Sequence, residues 1–152
     1  EDGHNLVARS AMLYGAMLAG QAFANAPVAA VHALAYPLGG HYHIAHGLSN
    51  SLVLPHVLRF NLPNAVQAYA ELAHVVNPYA RAKPVTLAEY FIEAMQTLIS
   101  AVKIPTTLRQ LNVPETDLPM LAKDALLQQR LLMNNPRLVT EADALAIYQA
   151  AY

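Results

Sequence analysis

Cysteine and tryptophan are both absent from the 152 residues, and only 12% of positions carry Asp, Glu, Lys or Arg. Without cysteine there is no disulfide scaffold, no thiolate zinc site and no cysteine nucleophile. That usage fits a reducing compartment, and a cytoplasmic location is expected. The charged share is about half of the roughly 25% typical of globular chains, and the formal net charge is −1. Such a balance excludes an electrostatic footprint for nucleic acid or an anionic membrane surface. A hydrophobic content of 55% excludes intrinsic disorder, which needs low hydrophobicity with high net charge. The chain opens Glu1-Asp2-Gly3-His4, without the basic segment before an apolar run that marks a secretory leader.

Charge is missing most completely in one stretch. From Ser10 to Leu58 there is no Asp, Glu, Lys or Arg, and polarity rests on His, Asn, Gln, Ser and Tyr. A membrane hairpin would need about 18 or more uninterrupted apolar residues per span. Gln21, Asn25, Pro27, His32, Pro37 and the run from Gly39 to His46 interrupt the stretch too often for that. The expectation is a helix pair buried on most sides, facing a cleft or another domain.

The remaining pattern is helical, and 152 residues suffice for one domain with a real core. Residues 5–26 are rich in Ala, Leu and Met and free of proline, a strong helix former. Ala11, Gly15, Ala19, Ala22 and Ala26 recur at three-to-four spacing, a stripe that lets another helix approach closely. Pro27 opens a second helix, predicted to end at about Leu38 before Gly39-Gly40. A third is predicted over 45–61, bent at Pro55, and a fourth over 63–76 after Asn61-Leu62-Pro63-Asn64. Thr86 to Val102 carries a 3.6-period apolar stripe, with Thr86 and Glu89 in a capping-box pattern. A short turn is expected at Thr107 to Leu111, a helix over 117–133, and a last helix from Thr140 to the terminus. No segment alternates convincingly with period two, so the predicted fold class is all-α, a bundle of about six to seven helices.

Chemistry concentrates in the histidines. Four of the seven, His32, His41, His43 and His46, fall within fifteen residues. Neutral imidazole is a common ligand for first-row metals. If the second and third helices are antiparallel neighbours, His32 and His46 can meet between them. The other reading is that they are core histidines bonded to backbone carbonyls. His41 and His43 are expected to be solvated in the turn, and His56 and His74 to be structural. Two imidazoles do not complete a catalytic metal site, which keeps three or four protein ligands. No dinucleotide fingerprint, P-loop or nucleophile elbow is present.

At these residues the chain resembles a known family. Asn25 to Asn61, NAPVAAVHALAYPLGGHYHIAHGLSNSLVLPHVLRFN, is similar to the C-terminal signature of the iron-containing (group III) alcohol dehydrogenases. Ala19 to Asn25, AGQAFAN, resembles the family's A-G-x-A-F-x-N. Ile104-Pro105, Leu108-Arg109 and Asn135-Pro136-Arg137 resemble later landmarks, so the resemblance runs over the whole chain.

The resemblance implies that residues 1–152 are a partial C-terminal, metal-binding helical domain, with the nucleotide-binding domain outside the chain. Of the family's four metal ligands, an Asp and a His would lie upstream of Glu1, and the other two correspond to His32 and His46. Phe23 falls where the family lines its substrate and nicotinamide pocket with an aromatic ring. Many members carry His four residues after the first of these ligands, where this chain has Tyr36. A phenol donates a hydrogen bond but releases its proton too reluctantly near neutral pH to be a good relay. Implied cofactors are a divalent metal, Fe2+ before Zn2+, and NAD or NADP. The implied reaction converts a small alcohol to an aldehyde or ketone, and a homo-oligomer is expected. Alternatives are a maleylacetate reductase or glycerol dehydrogenase relative, or an inactive helical subunit completed by a partner, with an exposed apolar face around residues 10–58.

Overall fold

The computed structural model describes residues 2–152. Among them there are seven α-helices and no strand, the all-α class expected from the periodicity. Helix α1 is Leu6–Asn25, α2 Ala30–Tyr42, α3 His46–Val76 and α4 Pro84–Ala101. Two short 3-10 turns, Arg109–Leu111 and Glu115–Asp117, lead to α5 Leu118–Ala125, α6 Gln129–Leu132 and α7 Glu141–Ala150.

The main core lies where α2, α3, α5 and α7 meet. Leu34, Leu38, Leu52, Val53, Val57, Leu118, Leu121 and Tyr148 are sealed from solvent there. Tyr148 spans this core, donating its hydroxyl to the Leu34 carbonyl at 2.6 Å. Burial pushes that phenol far above its usual range. A smaller cluster, Ala65, Tyr69, Ala88 and Ile92, binds the second half of α3 to α4. Tyr69 and Phe91 pack there as a tilted pair with centroids 5.7 Å apart.

Helix ends differ from the sequence expectation in instructive ways. Gly39-Gly40 does not end α2, which continues to Tyr42. The reversal is made by His43, a non-glycine residue at φ 54°, whose N–H reaches the Gly39 carbonyl at 3.1 Å. The helices predicted over 45–61 and 63–76 are one element, α3, which passes through both Pro55 and Pro63. Each proline deprives one carbonyl of its i→i−4 partner, but packing on α2 along one half and α4 along the other offsets that loss. Beside the Pro63 step, Arg137 donates to the Phe60 carbonyl at 2.9 Å and lies 4.0 Å over the Phe60 ring. Asn61 and Asn135 exchange two amide hydrogen bonds of 2.9 and 2.8 Å. The Asn135-Pro136-Arg137 segment thus clamps α3 one residue from the Arg59 carbonyl that Pro63 leaves without its helical partner.

The helix predicted over 117–133 is broken between Ala125 and Gln129, where Leu127 and Gln128 turn tightly onto Asp124 and Ala125. Thr86 does not cap α4. That helix starts two residues earlier with Pro84, whose missing N–H suits the first turn. The capping box is found instead at Thr140 and Asp143 of α7, holding the Asp143 carboxyl below its usual range through its bonds to Thr140.

Burial of residues 10–58 is only half realised. The α2 segment and the first part of α3 are buried as expected, whereas no residue of α1 is. Leu6, Val7, Met12, Leu13 and Tyr14 are all more than half exposed, and an added Cβ at Gly15 or Gly20 would meet nothing within 4 Å. The small-residue stripe therefore faces no packed helix among the described residues. No described helix is long and apolar enough to cross a membrane.

Because Leu34 is fully buried, Leu34→Ala is expected to cost about 2–5 kcal/mol. Tyr148→Phe, which removes one hydrogen bond, is expected to cost about 0.5–1.5 kcal/mol. Urea unfolding measures both. A Leu34→Ala change indistinguishable from wild type would contradict this core.

Candidate metal centre

The link between α2 and α3 is only residues 43–45. It folds back on the last turn of α2, with the Ile44 carbonyl oxygen 3.6 Å from where a Gly39 Cβ would lie. Ser49 secures the turn by donating its hydroxyl to that same carbonyl at 3.3 Å. The start of α3 is thereby brought beside the middle of α2. His32 and Tyr36, one turn apart on α2, then face His46 and Asn50, one turn apart on α3.

The geometry is tight. The His32 and His46 rings have centroids 5.1 Å apart and are tilted by 57°. Tyr36 lies against His46 at 5.8 Å. The Asn50 Nδ2 atom is 3.2 Å from His46 Nε2 and 3.5 Å from His32 Nε2. Both Nε2 atoms therefore turn to the same place. Partial burial, reinforced by the neighbouring His46, pushes the His32 pKa below its usual value. A neutral imidazole is favoured, the form that binds metal.

Other expected site residues fall elsewhere. Phe23 is on α1, 58% exposed, and is not part of this cluster. His41 is not a free loop residue: it sits in the last turn of α2 and pairs with Asp124 at 2.6 Å. His43 is exposed at the reversal, as expected of a turn residue. His56 is half-buried within α3, and burial, with Arg59 nearby, lowers its pKa. His74, expected to be structural, is exposed on α3. Asn50 was not singled out in the sequence; its one signal is its place one helical turn after His46.

The donor set fits a first-row divalent cation, but only as part of a site. It offers two imidazole nitrogens turned to one place, with the Asn50 amide beside both. Among the described residues no group of three His, Cys, Asp or Glu could hold a metal ion. A catalytic site needs three or four protein ligands, and these two would supply only part of one.

Two imidazoles thus converge between α2 and α3 of a helical domain. The sequence matches the description "Fe-containing alcohol dehydrogenase family, C-terminal" over residues 1–152, and the chain belongs to that family. It is 41% identical to the long-chain-alcohol dehydrogenase 1 of Geobacillus thermodenitrificans, over 99% of this chain and 38% of that protein. Identity to the 1,3-propanediol dehydrogenase of Klebsiella pneumoniae is 38%, over 99% of this chain and 39% of that protein. A crystal structure of 1,3-propanediol oxidoreductase superposes with a TM-score of 0.91 at 39% identity, covering 99% of this chain and 39% of that one. The chain thus spans well under half the length of these relatives.

The lowered pKa values of His32 and His56 set the sign of the pH dependence. The unfolded chain takes up protons below about pH 6.5, while the folded rings resist them. Stability is therefore full above that pH, falls as pH drops below it, and levels off below the folded pKa values. Melting temperature measured between about pH 5 and pH 7.5 should fall on the acid side, and less steeply in His56→Gln. An equal slope in that variant would contradict the His56 assignment.

Proposed function

We propose that this chain forms part of the helical domain of a metal-dependent alcohol dehydrogenase, which oxidises a small alcohol to an aldehyde or ketone with NAD or NADP as acceptor. The observation that carries this reading is the convergence of His32 and His46 Nε2 on one place, in a chain of this family. Fe2+ is the cation proposed first, with Zn2+ as the other candidate, since both accept imidazole ligands. The cytoplasm is the proposed location.

When bound, the cation supplies Lewis-acid polarisation of the alcohol oxygen, and the nicotinamide supplies the hydride acceptor. His32 and His46 would hold the cation through their neutral Nε2 atoms. Tyr36, packed on His46, walls the site and can donate a hydrogen bond towards substrate. It also lines a groove of about 340 Å³ with Pro37, Gly40, Leu127, Gln128 and the His41–Asp124 pair, proposed to take the part of the substrate away from the cation. Phe23 would reach the pocket only from α1, whose placement against the rest is open to solvent.

An incomplete ligand set and an uncovered α1 support the same view of the remainder. The further ligands, an Asp and a His in the family pattern, and the nucleotide-binding domain are proposed to come from outside these residues, with a homo-oligomer as the working assembly. Relatives more than twice as long support this.

In the complete enzyme, His32→Ala or His46→Ala is expected to lose metal and activity together, by metal analysis and turnover. Tyr36→Phe should keep the metal and lose about two- to tenfold in kcat/KM, the worth of one hydrogen bond. Metal and activity both retained in His32→Ala would overturn the reading.

A further inference from the structure

We propose that Asn50 is a positioning residue of the two-histidine half-site: its amide holds both imidazoles as Nδ1–H tautomers, with both Nε2 lone pairs aimed at one place. The proposal rests on reading His32 and His46 as metal-holding residues, and deepens that reading.

The geometry points to it directly. The Asn50 Nδ2 lies 3.2 Å from one Nε2 and 3.5 Å from the other. An amide NH2 has two hydrogens and accepts nothing. It can serve both rings only if neither Nε2 is protonated, which places each ring's proton on Nδ1. A divalent cation requires the same state, because it binds the free lone pair of a neutral imidazole. The amide thus stands in the place where the two lone pairs meet, and keeps them there until a cation replaces it.

The Asn50 Oδ1 is buried and has no hydrogen-bond partner, so the amide's only polar contacts are the two imidazole nitrogens. Turned over, the amide would aim Oδ1 at both rings and call for an N–H on each, leaving no lone pair for a cation. Asn50 can act on both rings because it stands one turn after His46 and faces His32 across the helix crossing. Tyr36, against the His46 ring at 5.8 Å, limits how far that ring can swing away.

Nitrogen-15 NMR of histidine-labelled, metal-free protein at about pH 8 tests this, well above the range where imidazole binds a second proton. Signals are assigned by difference against single His32→Gln and His46→Gln variants. Wild type is expected to show both Nε2 atoms unprotonated, and both signals to move when Zn2+ is added. Asn50→Asp keeps the size of the side chain but can only accept, so at least one Nε2 is expected to gain a proton. Should that variant fail to fold by circular dichroism, Asn50→Leu, which donates nothing, is expected to spread the rings over both tautomers. Protonated Nε2 atoms in wild type, or tautomers unchanged in the folded variant, would overturn the role of Asn50. Signals that ignore Zn2+ in wild type would overturn the half-site reading itself, and the proposal with it.

Discussion

Everything proposed for this chain depends on one reversal of direction, at residues 43–45. A plain antiparallel hairpin would set the start of α3 beside the end of α2, and His46 would be far from His32. Here the link lies back over Gly39, and His43 accepts a left-handed backbone that L residues other than Asn and Asp seldom adopt. α3 therefore starts beside the middle of α2, and two pairs of residues one turn apart face each other. The fold positions the site through this short loop, and the rest of the structure serves to hold the two helices in that relation.

How it does so is visible in the core. Tyr148 of α7 reaches across to the Leu34 carbonyl, two residues beyond His32, and anchors α2 from the side opposite the imidazoles. Tyr42 at the end of α2 donates to Asp117 at 2.6 Å, and His41 pairs with Asp124. The last turn of α2 is thus tied to the α5 region at two points just before the reversal. Further along, α3 runs through two prolines with α2 and α4 packed along it and Arg137 bonded to the Phe60 carbonyl. Rigidity of this kind matters for a metal site, whose ligands must already converge before the cation binds.

Much of this was legible in the sequence. The helical class and the start of α7 at Thr140 follow from periodicity and capping, whereas the choice of His32 and His46 comes from the family resemblance. What escaped was decided by tertiary contacts. Pro63 and Gly39-Gly40 are breakers by local rules, yet each lies inside a helix, as Pro55 does within the helix expected to contain it. The interruption after Ala125 has no comparable breaker residue to mark it. Asn50 escaped for a different reason: an amide within a helix carries no signal of its own until the fold shows what it faces. The exposure of α1 was left open by the sequence, since an apolar, small-residue helix reads as buried whether or not its cover belongs to the same stretch of chain.

The central claim is that His32 and His46 act together on one metal ion whose other ligands lie outside these residues. Anomalous diffraction at the metal edge, from crystals of the complete protein loaded with Zn2+ or Fe2+, tests it most directly. A single ion about 2.0–2.2 Å from Nε2 of both histidines, with further ligands from beyond residues 1–152, is the predicted result. An ion bound without either imidazole, or full ligation from within these residues, would contradict the account.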